Sequence, residues 1–236
     1  MRNTRISGRL RILCFNKYER STLLISMSGI DSAGKSTQIL NIVDHLQSQK
    51  RKVKVIWSRG GYTPIFSGIK TLLRILTKNS FPEPGESRKR EITFDKKWIR
   101  VLWVNLALLD MIVFYSLYFR MLAYLGYTVI ADRYLWDTYI DFKLKFQNEK
   151  QEGAIIWQVL EYFSPVPDIS FILTIPVVES LDRSRKKKEP FSENLNQREK
   201  RLALYQDLIE QGKWSYIIDG MRPIGEVWSD IRNQLL

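Results

Sequence analysis

"SGIDSAGKSTQ", residues 28–38, reads Gly29, four residues, then Gly34, Lys35 and Ser36. Ahead of it stands "STLLISMS" (21–28), a short apolar run bounded by polar residues, which is the pattern of a strand buried in a parallel sheet. Behind it, Ile39, Val43 and Leu46 share one helical face, with Leu40 beside them. A glycine-rich turn between such a strand and such a helix lets backbone N–H groups converge on phosphate oxygens, and the helix dipole adds positive potential there. The turn spans Gly29, Ile30, Asp31, Ser32, Ala33 and Gly34, and continues into Lys35, Ser36 and Thr37. Lys35 is then expected to reach the β- and γ-phosphates of ATP, and the Ser36 hydroxyl to coordinate Mg²⁺.

Similar apolar runs recur at "KVKVIW" (52–57), "YTVIA" (127–131), "ISFILTI" (169–175) and "SYIID" (215–219), with helical stretches between them. Helices are expected over "GAIIWQVLEYF", over "LNQREKRLALYQDLIEQG" with Leu204, Leu208 and Ile209 inward and Gly212 as its stop, and over "PIGEVWSDIRNQLL" with Pro223 in its first turn. Strands alternating with helices predict an α/β three-layer sandwich, a five-stranded parallel sheet covered by helices on both faces. Residues 21–236 make a single domain, and residues 1–20, with six Lys or Arg and one Glu, a basic N-terminal extension. "KNSFPEPGESRKR" (78–90) reads as a surface loop.

Thirty-seven Lys and Arg against 25 Asp and Glu give a net charge of +12, which favours polyanionic partners without choosing among them. One cysteine, Cys14, excludes an intramolecular disulfide and fits a reducing cytoplasm; one histidine, His45, excludes a histidine cluster. Any chemistry here must therefore proceed without an imidazole base. The segment 101–126 is long and apolar but interrupted by Asn105, Asp110, Ser116 and Arg120, so it is expected to be a core or dimer-interface helix and not a transmembrane segment.

Beyond the loop, several motifs in order resemble the thymidylate kinases, nucleoside monophosphate kinases of the P-loop superfamily. The family pattern G-x-D-G-A-G-K-S/T-T-Q is matched by Gly29 to Gln38, with Ser32 where glycine or arginine is frequent. Asp132-Arg133-Tyr134 matches the family's Asp-Arg-aromatic, "PDISFILTIPVVESLDRSR" resembles its fourth strand and lid entry, and "IIDGMRPIGEVWSDI" its last strand and closing helix. The resemblance covers about residues 22–236 and implies ATP and Mg²⁺ as cofactors. It assigns Arg133 to the acceptor phosphate, Asp132 to the magnesium shell, and Gly220 and Met221 to the adenine. Asp31 faces the acceptor sugar, and Tyr134 and Asp137 fall in the acceptor segment. The lid, about 181–197, carries Arg183, Arg185, Lys186, Lys187 and Lys188, from which the cations at the transferring phosphate are drawn, since Ser32 supplies none. A homodimer packed through helices is the family habit.

The chain departs from the family where the base is read. "WSRGGYTP" replaces Thr-Arg-Glu-Pro-Gly-Gly and leaves Arg59 as a second candidate for the acceptor phosphate. Trp103 is placed to stack on a base, but Ala107 stands a turn later in place of arginine, and Phe142 replaces the expected glutamine. Asp137 and Asp141 put carboxylates near the acceptor pocket, where they either meet sugar hydroxyls or sit in solvent. The leading expectation is phosphorylation of dTMP to dTDP by ATP, with no nucleic-acid partner. The alternatives are the same kinase chemistry on another nucleotide, a nucleoside or a phosphorylated sugar, a nucleotide-dependent switch or nucleic-acid-binding ATPase, and a catalytically retired scaffold.

Overall fold

A computed structural model describes residues 22–57, 97–145, 155–187 and 193–235. Five strands lie parallel in one sheet: β1 (Leu24–Gly29), β2 (Lys52–Trp57), β3 (Tyr127–Asp132), β4 (Ile169–Thr174) and β5 (Tyr216–Asp219), in the order β2-β3-β1-β4-β5. The central strands are buried along their length because both faces are covered, which is why they read as unbroken apolar runs. β2, at one edge, alternates lysine with valine and keeps only Ile56 buried.

The helices are α1 (Lys35–Ser48), α2 (Lys97–Val113), a π-helical stretch (Phe114–Tyr118), α3 (Phe119–Tyr124), α4 (Leu135–Lys145), α5 (Ile155–Phe163), α6 (Val177–Lys187), α7 (Leu195–Glu210) and α8 (Ile224–Asn233). Alternate side chains of each strand feed opposite faces of the sheet. Ile25 and Met27 of β1 join α1, α7 and α8 through Ile39, Ile42, Tyr205 and Ile231. Leu24 of β1 and Val129 and Ala131 of β3 join the other helices through Leu108, Met111, Tyr115 and Trp157. Fully burying an aliphatic chain of this size stabilises a fold by roughly 1.5–3 kcal/mol.

Helix ends follow the sequence closely. Gly212 takes φ 70° just past α7, which Asn194 caps by accepting from Gln197 N while the Gln197 side chain accepts from Asn194 N. Pro223 caps α8. Inside α1, Ile42 is fully buried where Leu40 is 63% exposed, so the face turns slightly away from the one the periodicity predicts.

The stretch Val104–Tyr124 is long and apolar enough by composition to cross a membrane, yet half of it is buried in the fold. β1 and β3 are paired neighbours, with Met27 opposite Asp132, so the glycine-rich loop and Asp132-Arg133 emerge at the same sheet edge. Asp168 acts at the far edge: its carboxylate accepts from Leu24 N at 2.7 Å and its N–H donates to the Leu24 carbonyl at 2.9 Å, clamping the start of β4 to β1.

Candidate active site

The loop after β1 is shaped by close approach. Gly29 has φ 139°, and a Cβ there would stand 2.5 Å from the Leu173 carbonyl oxygen. Ser32 at φ 59° and Gly34 at φ 101° both occupy the left-handed region, which turns the chain tightly into α1. No side chain caps α1 and no acidic residue sits in its first turn, so its leading N–H groups are left for an anion. Ser36 and Thr37 are exposed at this end.

Lys35 is buried, and its ammonium donates to the carbonyls of Gly29 at 2.9 Å and Ile30 at 2.8 Å. Burial, with Arg133 nearby, lowers its pKa to about 8, partly offset by Asp31, Asp132 and Asp137. The turn after β5 completes the cradle: a Cβ on Gly220 would lie 2.8 Å from Ile175 Cγ2 and 2.9 Å from the Ala33 carbonyl oxygen. Met221 follows, half exposed, its N–H donating to Asp219 at 2.9 Å.

Arg133 sits in the left-handed region at φ 71° and is pinned by donation of its N–H to the Met27 carbonyl at 3.0 Å. Its buried guanidinium donates to the Asp31 carboxylate and lies 3.9 Å from Asp137 Oδ1. Asp31 thereby joins the acceptor-side arginine to the loop that holds Lys35. Asp132 has a buried Oδ1 with no hydrogen-bond partner among the described residues, and burial raises its pKa despite Lys35 and Arg133. A buried carboxylate oxygen of this kind, beside an exposed serine at a helix start, fits a hard divalent cation and its waters.

Other expected residues lie elsewhere. Tyr134 points into the core, where its hydroxyl donates to the Pro165 carbonyl at 2.8 Å and its ring packs on Tyr115 and Phe119. Asp137 is buried beneath Arg133, accepting from Ser28 Oγ at 2.6 Å, Tyr134 N at 2.9 Å and the Tyr205 hydroxyl at 2.5 Å. Asp141 is buried too, paired with Arg201 at 2.7 Å, and neither aspartate meets solvent. Arg183 pairs with Glu179 at 2.6 Å and donates through both terminal nitrogens to the Gly220 carbonyl at 3.2 Å, on the adenine side of the cradle. Arg185, Lys186 and Lys187 are exposed, Arg185 lying 3.7 Å from Asp182. His45 stacks edge-on against Trp228 and meets Gln49, away from the site. Arg59, Lys188, the side chain of Trp103 and most of the basic extension's length with it lie outside the described residues.

A buried polar network beneath the loop has no counterpart in the sequence reading. Arg198 is fully buried and donates to Ser180 Oγ, to Ser184 Oγ at 2.8 Å and to the Glu193 carbonyl at 3.0 Å. Ser180 in turn donates to the Asp31 carbonyl at 2.7 Å. The only sequence signal for it is the spacing of Arg198, Arg201, Tyr205 and Leu208, which falls on one face of α7 and is buried throughout.

The sequence model of the thymidylate kinase family matches residues 89–231, more than half of the chain. That match begins after the glycine-rich loop, so the loop rests on its own motif and geometry. A probable thymidylate kinase of Archaeoglobus fulgidus is 24% identical over 215 residues, covering 89% of this chain and 93% of that protein. A thymidylate kinase of Thermosipho melanesiensis is 26% identical over 216 residues, covering 89% and 96%. A thymidylate kinase of Chlorobaculum tepidum is 41% identical over 64 residues, a stretch that spans 29% of its length and 27% of this chain.

Proposed function

The chain belongs to the thymidylate kinase family, and from that premise we propose that it transfers the γ-phosphate of ATP to a nucleoside monophosphate, with dTMP as the leading acceptor. The observation that carries the reading is the convergence of Lys35 and Arg133 at one sheet edge, with Asp31 between them. Lys35 serves the donor phosphates, and Arg133 the acceptor phosphate.

The nucleophile in such a transfer is an acceptor phosphate oxygen that is already anionic near neutral pH, so no strong base is required. The protein's contribution is alignment and charge neutralisation. Backbone N–H groups from Gly29 to Thr37 and the start of α1 hold the donor phosphates. Gly220 and Met221 flank the adenine, with Arg183 anchored beside them. Ser36 and Asp132 would hold Mg²⁺, which when bound neutralises charge on the phosphates. Arg183 and Arg185 are the lid cations assigned to the transferring group, Arg183 after exchanging Glu179 for phosphate. Arg59 and Trp103 are carried as acceptor contacts on the resemblance alone.

A different acceptor within the same chemistry has its own support. Ala107 and Phe142, which replace the residues that read thymine in the family, are both buried core side chains and offer no hydrogen bond to a base. ADP release measured against a panel of nucleotides, nucleosides and phosphorylated sugars decides between these readings, with Lys35→Ala as the control. Turnover of dTMP above all others supports the first; turnover of none overturns both. The homodimer is assigned to the exposed apolar row Leu109, Val113, Leu117 and Met121.

A further inference from the structure

We propose that Tyr205 is a positioning residue for the acceptor site, acting on Arg133 through Asp137. The inference rests on the reading of Arg133 as the anion-binding arginine of that site.

Tyr205 belongs to α7, the helix that follows the lid, and is 1% exposed. Its hydroxyl carries one proton and has two acceptors in reach, Asp137 Oδ1 at 2.5 Å and the Gly29 carbonyl at 3.4 Å. The shorter contact to an ionised oxygen takes the proton. The other carboxylate oxygen of Asp137, Oδ2, is held by Ser28 Oγ at 2.6 Å and Tyr134 N at 2.9 Å. Three donors from three elements therefore fix this carboxylate, and only the phenol comes from outside the segment that carries Arg133 and the strand beside it.

The consequence lies in the remaining distance. Asp137 Oδ1 stands 3.9 Å from Arg133 Nη1, near enough to attract the guanidinium and too far for a direct hydrogen bond. With its lone pairs engaged by Tyr205, Oδ1 orients Arg133 without capturing it, so the guanidinium stays available to an incoming phosphate. Without the phenol, Oδ1 turns to Arg133, and an acceptor phosphate must break an internal ion pair before it binds.

A second contact keeps the two helices in step. Arg201 on α7 pairs with Asp141 on α4, one turn from Tyr205 and Asp137 respectively, and Arg201 also holds Glu193 at 2.6 Å just ahead of α7. The position of the residues leaving the lid is thereby tied to the carboxylate that sets Arg133.

The test is a double-mutant cycle read by equilibrium binding. Wild type, Tyr205→Phe, Asp137→Ser and the double variant are titrated separately with dTMP, inorganic phosphate and ATP, with thermal unfolding followed in parallel. Tyr205→Phe is expected to weaken dTMP and phosphate about tenfold and ATP less than twofold. In the Asp137→Ser background the same change is expected to have less than a twofold effect, because the carboxylate it acts through is gone. Asp137→Asn takes the place of Asp137→Ser if the latter does not fold. An unchanged dTMP affinity in Tyr205→Phe, an equal loss for ATP, or a full effect in the absence of Asp137 overturns the proposal. A wild type that binds neither dTMP nor phosphate overturns it as well. Phosphoryl transfer by the wild type is measured separately, so binding without turnover sinks the kinase reading and leaves this one standing.

Discussion

Ser32 in the phosphate loop and Ser184 in α6 meet hydroxyl to hydroxyl at 2.9 Å, and Ser184 is held from behind by the guanidinium of Arg198. The loop is thus braced by the helix that leads into the lid, through an arginine buried in the next helix.

Arg198→Ala leaves two hydroxyls and the Glu193 carbonyl without their donor in a buried space. Loss of the arginine is expected to destabilise the fold by about 2–4 kcal/mol, measured as a lower urea midpoint. Arg198→Lys rescues only part of this, because one ammonium cannot span three separated acceptors.

Lys35→Met removes a buried cation whose charged form the fold disfavours, so the variant is expected to melt no lower than the wild type. Its kcat/KM should nevertheless fall by about 10²–10³, the range for loss of one preorganised charge at the reacting centre. Parallel loss of activity and melting temperature would instead make Lys35 a structural residue.

ATP affinity should depend on pH through the same lysine. With a pKa of about 8 in the free protein, Lys35 is charged below that value and neutral above it. Bound phosphate favours the charged form, so ATP binding should weaken as pH rises from about 8 to 9.5 and take up protons in that interval. Calorimetry in buffers of different ionisation enthalpy measures the uptake. For folding alone the sign is opposite: the unfolded chain keeps the proton that the folded chain sheds, so this group makes stability rise with pH above about 8.

Gly220→Ala separates packing from chemistry. The added methyl would meet the Ala33 carbonyl of the phosphate loop at 2.9 Å, and backbone does not yield as a flexible side chain does. ATP affinity is expected to fall by roughly tenfold or more for a cost in stability of about 1–3 kcal/mol, while dTMP binding holds. Fluorescence titration with each nucleotide checks the asymmetry.

Much of this was legible before any coordinates. All five strands lie within a few residues of their apolar runs, because parallel strands covered on both sides admit little but Val, Ile, Leu and Phe. The loop, Asp132 and Arg133 were found from motif and position. The brace and the Arg133 support were not, for one reason: periodicity assigns Arg198, Arg201, Asp137 and Asp141 to solvent by their charge. Charge at a buried position is tolerated only when partners from other elements arrive, and a linear pattern does not show which partners those are. Tyr134 misled in the opposite way, since an aromatic next to a functional arginine looks like a ligand contact and serves here as an anchor for it.

The π-helical stretch Phe114–Tyr118 constrains how this helix can change over evolutionary time. A bulge of that kind accommodates one residue more than a regular helical path of the same length. Deleting a single residue within it would relax the bulge but spin everything downstream by about 100°, carrying Phe119 and Leu122 out of the interior and Arg120 into it. Substitutions along this segment are therefore open to drift, whereas its length is locked.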